Sequence, residues 1–389
     1  MSTEASLRIS LVGTAYPMRG GLAQYNALLA RELSREHTVE ILSFRRQYPS
    51  LLFPGKSQMD ESDESTFRYP ATALVDSIGP RSWFRTASHI AAGQPDGLIF
   101  KFWLPFFAPA FGTIARQVKK KSPRTRVVAI LDNLIPHERR PFDLPLARYF
   151  AGTVDSFIAM SRSVESDLRD MKPEAPCQFV PHPVYPQFGE RIEKAEARRQ
   201  LGIDPEARIL LFFGFVRDYK GLDVLLDAMP AVVERTGARL LVLGEFYSGK
   251  DRTVTQIERL GLDEAVDLHD EYVPDERVGL YFSAADVVVL PYRTATQSGI
   301  VPIAYQLERP VICTDVGGLA EIVPDGKTGL VIPPEDPAAL TDAIVRFYDE
   351  GLEGPMVAAA GIEKEQYSWA HMARAVENAI RETLPGQDA

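Results

Sequence analysis

Residues 209–222 read Ile209-Leu-Leu-Phe-Phe-Gly-Phe-Val-Arg-Asp-Tyr-Lys-Gly-Leu222. The apolar run Ile209–Phe213 has the length and composition of a strand buried on both faces, and Gly214 ends it. Leu222–Thr236 then carries apolar residues at three- and four-residue spacing, the period of a helix. Strand, short turn and helix make the first half of a parallel crossover. In such sheets ligands bind beyond the C-terminal strand ends. Two cations, Arg217 and Lys220, stand on that turn, which reads as an exposed loop. Arginine grips phosphate oxygens with a bidentate fork and lysine supplies a mobile point charge. A solvated basic loop would look the same.

The same alternation runs through the chain. In the first half, strands are expected near Leu7–Val12, Thr38–Phe44, Gly97–Phe102, Arg126–Leu131, Ser156–Ala159 and Gln178–Val180. The second half adds Ile209–Phe213, Arg239–Leu243, Val266–Leu268, Val287–Leu290, Val311–Thr314 and Gly329–Ile332. Helical spacing marks Leu22–Glu36, Leu222–Thr236, Gly299–Leu307 and Ala338–Tyr348. Two sets of six strands predict an α/β protein of two Rossmann-like domains. The proline-rich stretch Pro181–Gly189 suits a join, so the domains are expected at 1–185 and 186–367, with a tail helix, Ser368–Thr383, beyond them.

Composition narrows the function. The 389 residues include 45% hydrophobic and 25% charged, the balance of a soluble globular protein. A net charge of -10 argues against a general nucleic-acid partner, which needs a basic surface. Cys177 and Cys313 lie in different expected domains, which fits a reducing cytoplasm. The first residues lack the features of a signal peptide, and Leu98–Phe111 is too short and too interrupted to span a bilayer.

Three further segments could meet an anion. Gly13-Thr-Ala-Tyr-Pro-Met-Arg-Gly-Gly21 leaves the first strand and opens a helix; Gly20 and Gly21 let backbone N–H groups approach a phosphate or sugar. Its spacing is not the dinucleotide pattern, and no acid ends the second strand, so no nicotinamide cofactor, or any other, is expected. Leu290-Pro-Tyr-Arg-Thr-Ala-Thr-Gln-Ser-Gly-Ile300 repeats the strand-to-helix design; Thr296 or Ser298 suits the cap, with Gln297 beside it and the N–H groups of Gly299 and Ile300 free. Gly317-Gly318, within Thr314–Gly329, permits close passage under a ligand.

The order of Gly20-Gly21, then Arg217, Lys220 and Gly221, then Pro310–Gly318 and Glu321–Gly329 resembles the family-4 retaining glycosyltransferases of the GT-B fold. The resemblance covers nearly the whole chain and is most specific from Gly214 to Val331. It implies two Rossmann-like domains facing across a cleft, with the tail helix crossing back to the first. The first domain would take the acceptor and the second a nucleotide-diphosphate sugar, with Arg217 and Lys220 holding the diphosphate. The chain departs from the family at two places where glutamates that contact the sugar hydroxyls and the ribose are usual: the aligned positions are Ala295 and Ile303. In the diphosphate loop the family arginine more often directly follows the glycine, where this chain has Phe215, and Arg217 two positions on takes its place. A histidine common in the first domain falls near Asp132, with His137 and Glu138 shortly after it. His137 could orient an acceptor hydroxyl or bond only to backbone. This looks like a divergent subgroup.

The implied reaction is metal-independent glycosyl transfer with retention, in which cations and N–H groups meet the charge growing on the leaving β-phosphate. No histidine or acid spacing suggests a metal site. A catalytically silent nucleotide-sugar-binding protein and a sugar-nucleotide epimerase are the alternatives; the second would need an acid/base pair such as His137 with Asp132 or Glu138. Glycan, glycolipid or polysaccharide synthesis would employ such a transferase. The aromatic run Phe100–Phe111, followed by Lys119-Lys120-Lys121, suits either packed core or a peripheral contact with the inner face of a membrane bearing a lipid-linked acceptor.

Overall fold

The computed structural model describes residues 5–18, 21–49, 68–135, 141–184, 186–271, 273–295 and 298–382. The chain divides into two compact units, one of 1–181 with 369–389 and the other of 182–368.

Unit 1 begins with β1 (Arg8–Val12), α1 (Gly21–Leu33), β2 (Thr38–Arg46), β3 (Ala71–Asp76) and α2 (Pro80–Gly93). It continues through β4 (Gly97–Phe102), α3 (Ala108–Lys121), β5 (Arg126–Leu131), α4 (Asp143–Ala151), β6 (Ser156–Ala159), α5 (Arg162–Met171) and β7 (Cys177–Phe179). The seven strands form one parallel sheet in the order β3-β2-β1-β4-β5-β6-β7. The expected count was six. The additional edge strand, β3, buries only Val75 fully, so its sequence carries little periodic signal.

Side-chain alternation along β4 explains the layers. Leu98, Phe100 and Phe102 point into a core shared with α2, α3 and α4, while Ile99 joins α1 on the other face. Phe100, Phe102, Phe107 and Phe111 are all fully buried, and Phe102 stacks on Phe150 with ring centres 4.6 Å apart. The aromatic run therefore belongs to the core, with Trp103 and Phe106 half-buried against it.

Unit 2 contains α6 (Lys194–Leu201), β8 (Ile209–Phe213), α7 (Leu222–Thr236), β9 (Arg239–Leu243), α8 (Lys250–Leu260), β10 (Val266–His269), α9 (Asp275–Ala284) and β11 (Val287–Leu290). After these come α10 (Ile300–Gln306), β12 (Val311–Thr314), α11 (Leu319–Ile322), β13 (Gly329–Ile332), α12 (Pro337–Asp349) and α13 (Glu353–Glu363). Its six strands are parallel in the order β10-β9-β8-β11-β12-β13. Every residue of β11 and β12 is buried, as central strands covered on both faces require. Asp336 caps α12, its Oδ1 accepting from the N–H groups of Ala338 and Ala339 at 3.0 and 2.9 Å, with Pro337 in the first turn.

The last helix, α14 (Trp369–Arg381), belongs to unit 1. It packs on α1, β5 and β6 by burying Met372, Ala375, Val376, Ala379 and Ile380. Among the described residues, no helix is long and apolar enough to cross a membrane.

Candidate functional site

Strand order in unit 2 reverses between β8 and its neighbour β11, and the crevice beyond such a reversal is where open α/β sheets take ligands. Two loops meet there. The first leaves β8 at Gly214 and closes in a single 3-10 turn, Asp218–Lys220, with the N–H of Lys220 bonded to the carbonyl of Arg217 at 2.9 Å. Gly221 follows at φ 68°, and a Cβ there would lie 2.0 Å from the Pro291 carbonyl oxygen of the second loop. Only glycine lets the two loops approach so closely.

That turn folds Lys220 inward. The residue is 7% exposed, and its ammonium lies 5.7 Å from the centre of the Tyr292 ring. A Cβ added to Gly214 would sit 2.9 Å from Lys220 Nζ and 3.5 Å from Ile300 Cδ1, so Gly214, Lys220 and Ile300 converge on one point. Among the described residues no carboxylate pairs with the ammonium. Burial, and then the nearby Arg217 guanidinium, push its pKa down to about 8. The expectation of two exposed cations therefore holds for Arg217 alone. Arg217 is exposed, its guanidinium stacked 4.0 Å from the centre of the Tyr247 ring.

The second loop holds Ser298, Gly299 and Ile300, while Thr296 and Gln297 lie outside the described residues. α10 starts at Ile300 after Gly299, so Ser298 is one position before the cap. Its Oγ accepts from the N–H of Ile300 at 3.2 Å, which engages one of the two N–H groups expected to be free. Burial pushes the Tyr292 phenol up, against the pull of a hydrogen bond with Ser298. The positions aligned with the family glutamates are apolar in fact as well as in name: Ile303 is buried and Ala295 is packed against the same core.

Arg293 went unremarked in the sequence. Its guanidinium donates to the Asp218 carbonyl at 2.6 Å, to both Asp223 oxygens at 2.9 and 2.6 Å, and to Glu335 at 3.1 Å. It staples the β11 loop to the start of α7. Beside it opens a cavity of about 550 Å³ bordered by Arg217, Asp218, Asp223, Arg252 and Arg293. Its acids are matched by internal cations, Arg252 to Asp218 and Arg293 to Asp223. Among the described residues Arg217 on its border and Lys220, which does not line it, have no carboxylate partner.

The remaining expected residues belong to unit 1. Gly21 opens α1, while Gly20 and His137 lie outside the described residues. Asp132 follows β5 and accepts from Lys101 Nζ at 2.9 Å. Lys101 is 1% exposed, with its ammonium 3.6 Å over the Tyr25 ring. Burial pushes that ammonium's pKa down, and the Asp132 charge opposes the shift. Among the described residues no group of three or more His, Cys, Asp or Glu could hold a metal ion.

Two parallel Rossmann-like sheets in one chain, with anion-ready loops at the switch point of the second, are the build of a GT-B glycosyltransferase. Comparison with known proteins agrees. Residues 207–350 match the family model described as glycosyl transferases group 1, and residues 19–188 match glycosyltransferase family 4. The chain belongs to the family-4 glycosyltransferases of the GT-B fold. It is 35% identical over 199 residues to a D-inositol 3-phosphate glycosyltransferase of Corynebacterium urealyticum, a match covering 49% of this chain and 46% of the relative. The chain thus spans about half the length of such curated relatives. Among solved structures, Anabaena HepE in complex with UDP superposes with a TM-score of 0.69 at 16% identity, covering 97% of this chain and 100% of that one. Sucrose-phosphate synthase from Thermosynechococcus elongatus gives 0.65 at 19% identity, covering 97% and 98%. At such identities the likeness is one of fold.

Proposed function

We propose that the chain is a retaining, metal-independent glycosyltransferase that moves a sugar from a nucleotide-diphosphate donor to an acceptor hydroxyl. The carrying observation is Lys220, an almost fully buried ammonium without a carboxylate partner among the described residues. A charge so placed is unfavourable unless an anion completes it. A diphosphate over Gly214 would do so, with Arg217 swinging from Tyr247 to a second phosphate oxygen. Charge on the β-phosphate grows as the glycosidic bond breaks, so both cations stabilise the transition state more than the ground state. The departing phosphate oxygen takes the acceptor proton, and no protein carboxylate is required as nucleophile.

Support for the donor class comes from HepE, whose structures include complexes with UDP and with UDP-glucose. On the acceptor side, Asp132 is the proposed contact in unit 1, with Gly20, Gly21 and His137 nearby in sequence. Gly214, Gln297, Ser298, Gly299 and Ile300 would line the donor's diphosphate and sugar. A lipid-linked or polyhydroxyl acceptor fits this reading. The test is thermal shift against UDP, GDP and ADP and their sugars, followed by turnover of whichever binds. If none raises Tm in the parent protein, the donor assignment fails.

A further inference from the structure

The chain carries a net charge of -10, yet three neighbouring helices of unit 1 reverse the sign. Arg81 and Arg85 on α2, Arg116 and Lys119–Lys121 on α3, and Arg148 on α4 face a single acid in these helices, Asp143, which is buried. The helices lie side by side on one face of the sheet, α2 on α3 and α3 on α4. Lys121 Nζ reaches Ser88 Oγ of α2 at 2.6 Å, and Arg116 donates to the Tyr149 carbonyl of α4 at 2.7 Å. The basic side chains therefore form one band. Lys119 is paired with Asp155 at 2.5 Å, and His89 faces Glu40 at 3.2 Å. The other six cations have no carboxylate partner among the described residues.

Large apolar side chains border this band. Phe142 is 74% exposed, Phe84 is 51% exposed, and Ile78, Leu144 and Tyr149 are exposed with them. Scattered surface hydrophobics are ordinary, but these sit on the basic helices and the turn before them. Phe84 and Phe142 stand near the starts of α2 and α4, helices that leave the C-terminal ends of β3 and β5. Asp132 lies at that same edge of the sheet. Unpaired cations with apolar tips complement a surface that is anionic outside and hydrocarbon beneath. Ile78 and Leu144, being aliphatic, suit acyl chains better than stacked bases.

We propose that the outer face of α2, α3 and α4 docks the protein on an anionic phospholipid bilayer. Phe84, Phe142 and Leu144 enter the headgroup boundary while the six cations face lipid phosphates. This rests on none of the unit 2 residues, so it stands or falls apart from the donor reading.

The test is flotation of the full chain with vesicles of phosphatidylcholine and phosphatidylglycerol at 1:1, against phosphatidylcholine alone. Binding is expected to the mixed vesicles at 50 mM salt, to be absent with phosphatidylcholine, and to weaken at least tenfold at 500 mM salt. Arg81→Gln, Arg85→Gln and Lys120→Gln combined should lower partitioning on the order of 100-fold, from roughly fivefold per cation. Phe142→Ser with Leu144→Ser should weaken binding and leave its salt dependence. All five positions are exposed, and unchanged Tm values would establish that the variants fold. No binding by the parent, equal binding by the variants, or binding to a single-stranded oligonucleotide in place of the vesicles would overturn the proposal.

Discussion

Replacing Lys220 by Met should stabilise the ligand-free protein while removing most of its activity. The structure sets the size of the first effect. Burial holds this ammonium near pKa 8, where the ordinary value is 10.5. At about 1.4 kcal/mol per pKa unit, that fall amounts to about 3 kcal/mol of penalty on the charged form in the folded state. The sign follows from proton counts. Between pH 8 and 10.5 the unfolded chain holds a proton that the folded chain has lost, so stability rises with pH across this window and the full penalty applies below it. Met fills much of the same space without charge. At pH 7 the variant should therefore gain up to about 3 kcal/mol, a Tm rise of roughly 5–10 °C for a unit of this size.

Ligand reverses the order. The parent should gain about 2.7 kcal/mol from a nucleotide diphosphate at 100 times its Kd, while the variant responds weakly. Turnover should fall on the order of 10²–10³-fold, as for the loss of one donor to a developing oxyanion. Calorimetry of both proteins, with and without UDP or whichever diphosphate binds, reads all of this. A variant that melts below the parent without ligand, yet turns over donor at the parental rate, would refute the assignment of Lys220 as an anion's counter-charge.

Four other outcomes follow from the same geometry. Arg217→Ala should weaken donor binding and lower kcat by a similar factor, yet shift the ligand-free Tm by little, because the side chain is exposed and only stacks on Tyr247. The kcat/KM for donor should fall as pH rises through about 8, where free Lys220 loses its proton, and Lys220→Arg should move that limb beyond the measurable range. Arg293→Ala should lower Tm by releasing Asp223 and Glu335 together, and should raise the KM for donor by loosening the loop that carries Tyr292. Dialysis against EDTA should leave turnover unchanged; complete loss restored only by magnesium or manganese would point to a metal-bridged diphosphate.

Central strands were legible because their signal is local. The apolar runs Ile209–Phe213, Arg239–Leu243 and Val311–Thr314 carry both their length and their burial in their own residues, and the structure places strands at those same bounds. β3 was missed because an edge strand with exposed Thr72 and Ala73 needs little apolar pattern. The aromatic run after Gly97 stayed ambiguous, since membrane patch and core use the same residues. What separates them is the alternation of Leu98, Phe100 and Phe102 toward α3 and α4, a fact about partners 10 to 50 residues away. Arg293 was illegible for the same reason, as its carboxylate partners Asp223 and Glu335 are 70 and 42 residues distant.

The burial of Lys220 required both kinds of information. Its turn reads as polar and exposed, but Gly221 against the Pro291 carbonyl pulls the loop onto β11 and takes the ammonium with it. Ala295 and Ile303 are apolar, and among the described residues no carboxylate pairs with Lys220, whose pKa burial and Arg217 hold low. A carboxylate beside Lys220 would raise the ammonium's pKa and satisfy part of its field. Without one, the ammonium is left for an incoming anion, while Ala295 and Ile303 offer sugar hydroxyls no carboxylate. Lys220 and these two apolar positions together predict a chain that holds a diphosphate well and discriminates among donor sugars weakly. Competition of several sugars on one nucleotide, read as Kd ratios against the free diphosphate, measures that directly; a ratio above about 100 between epimeric sugars would show that other residues have taken over the glutamates' work.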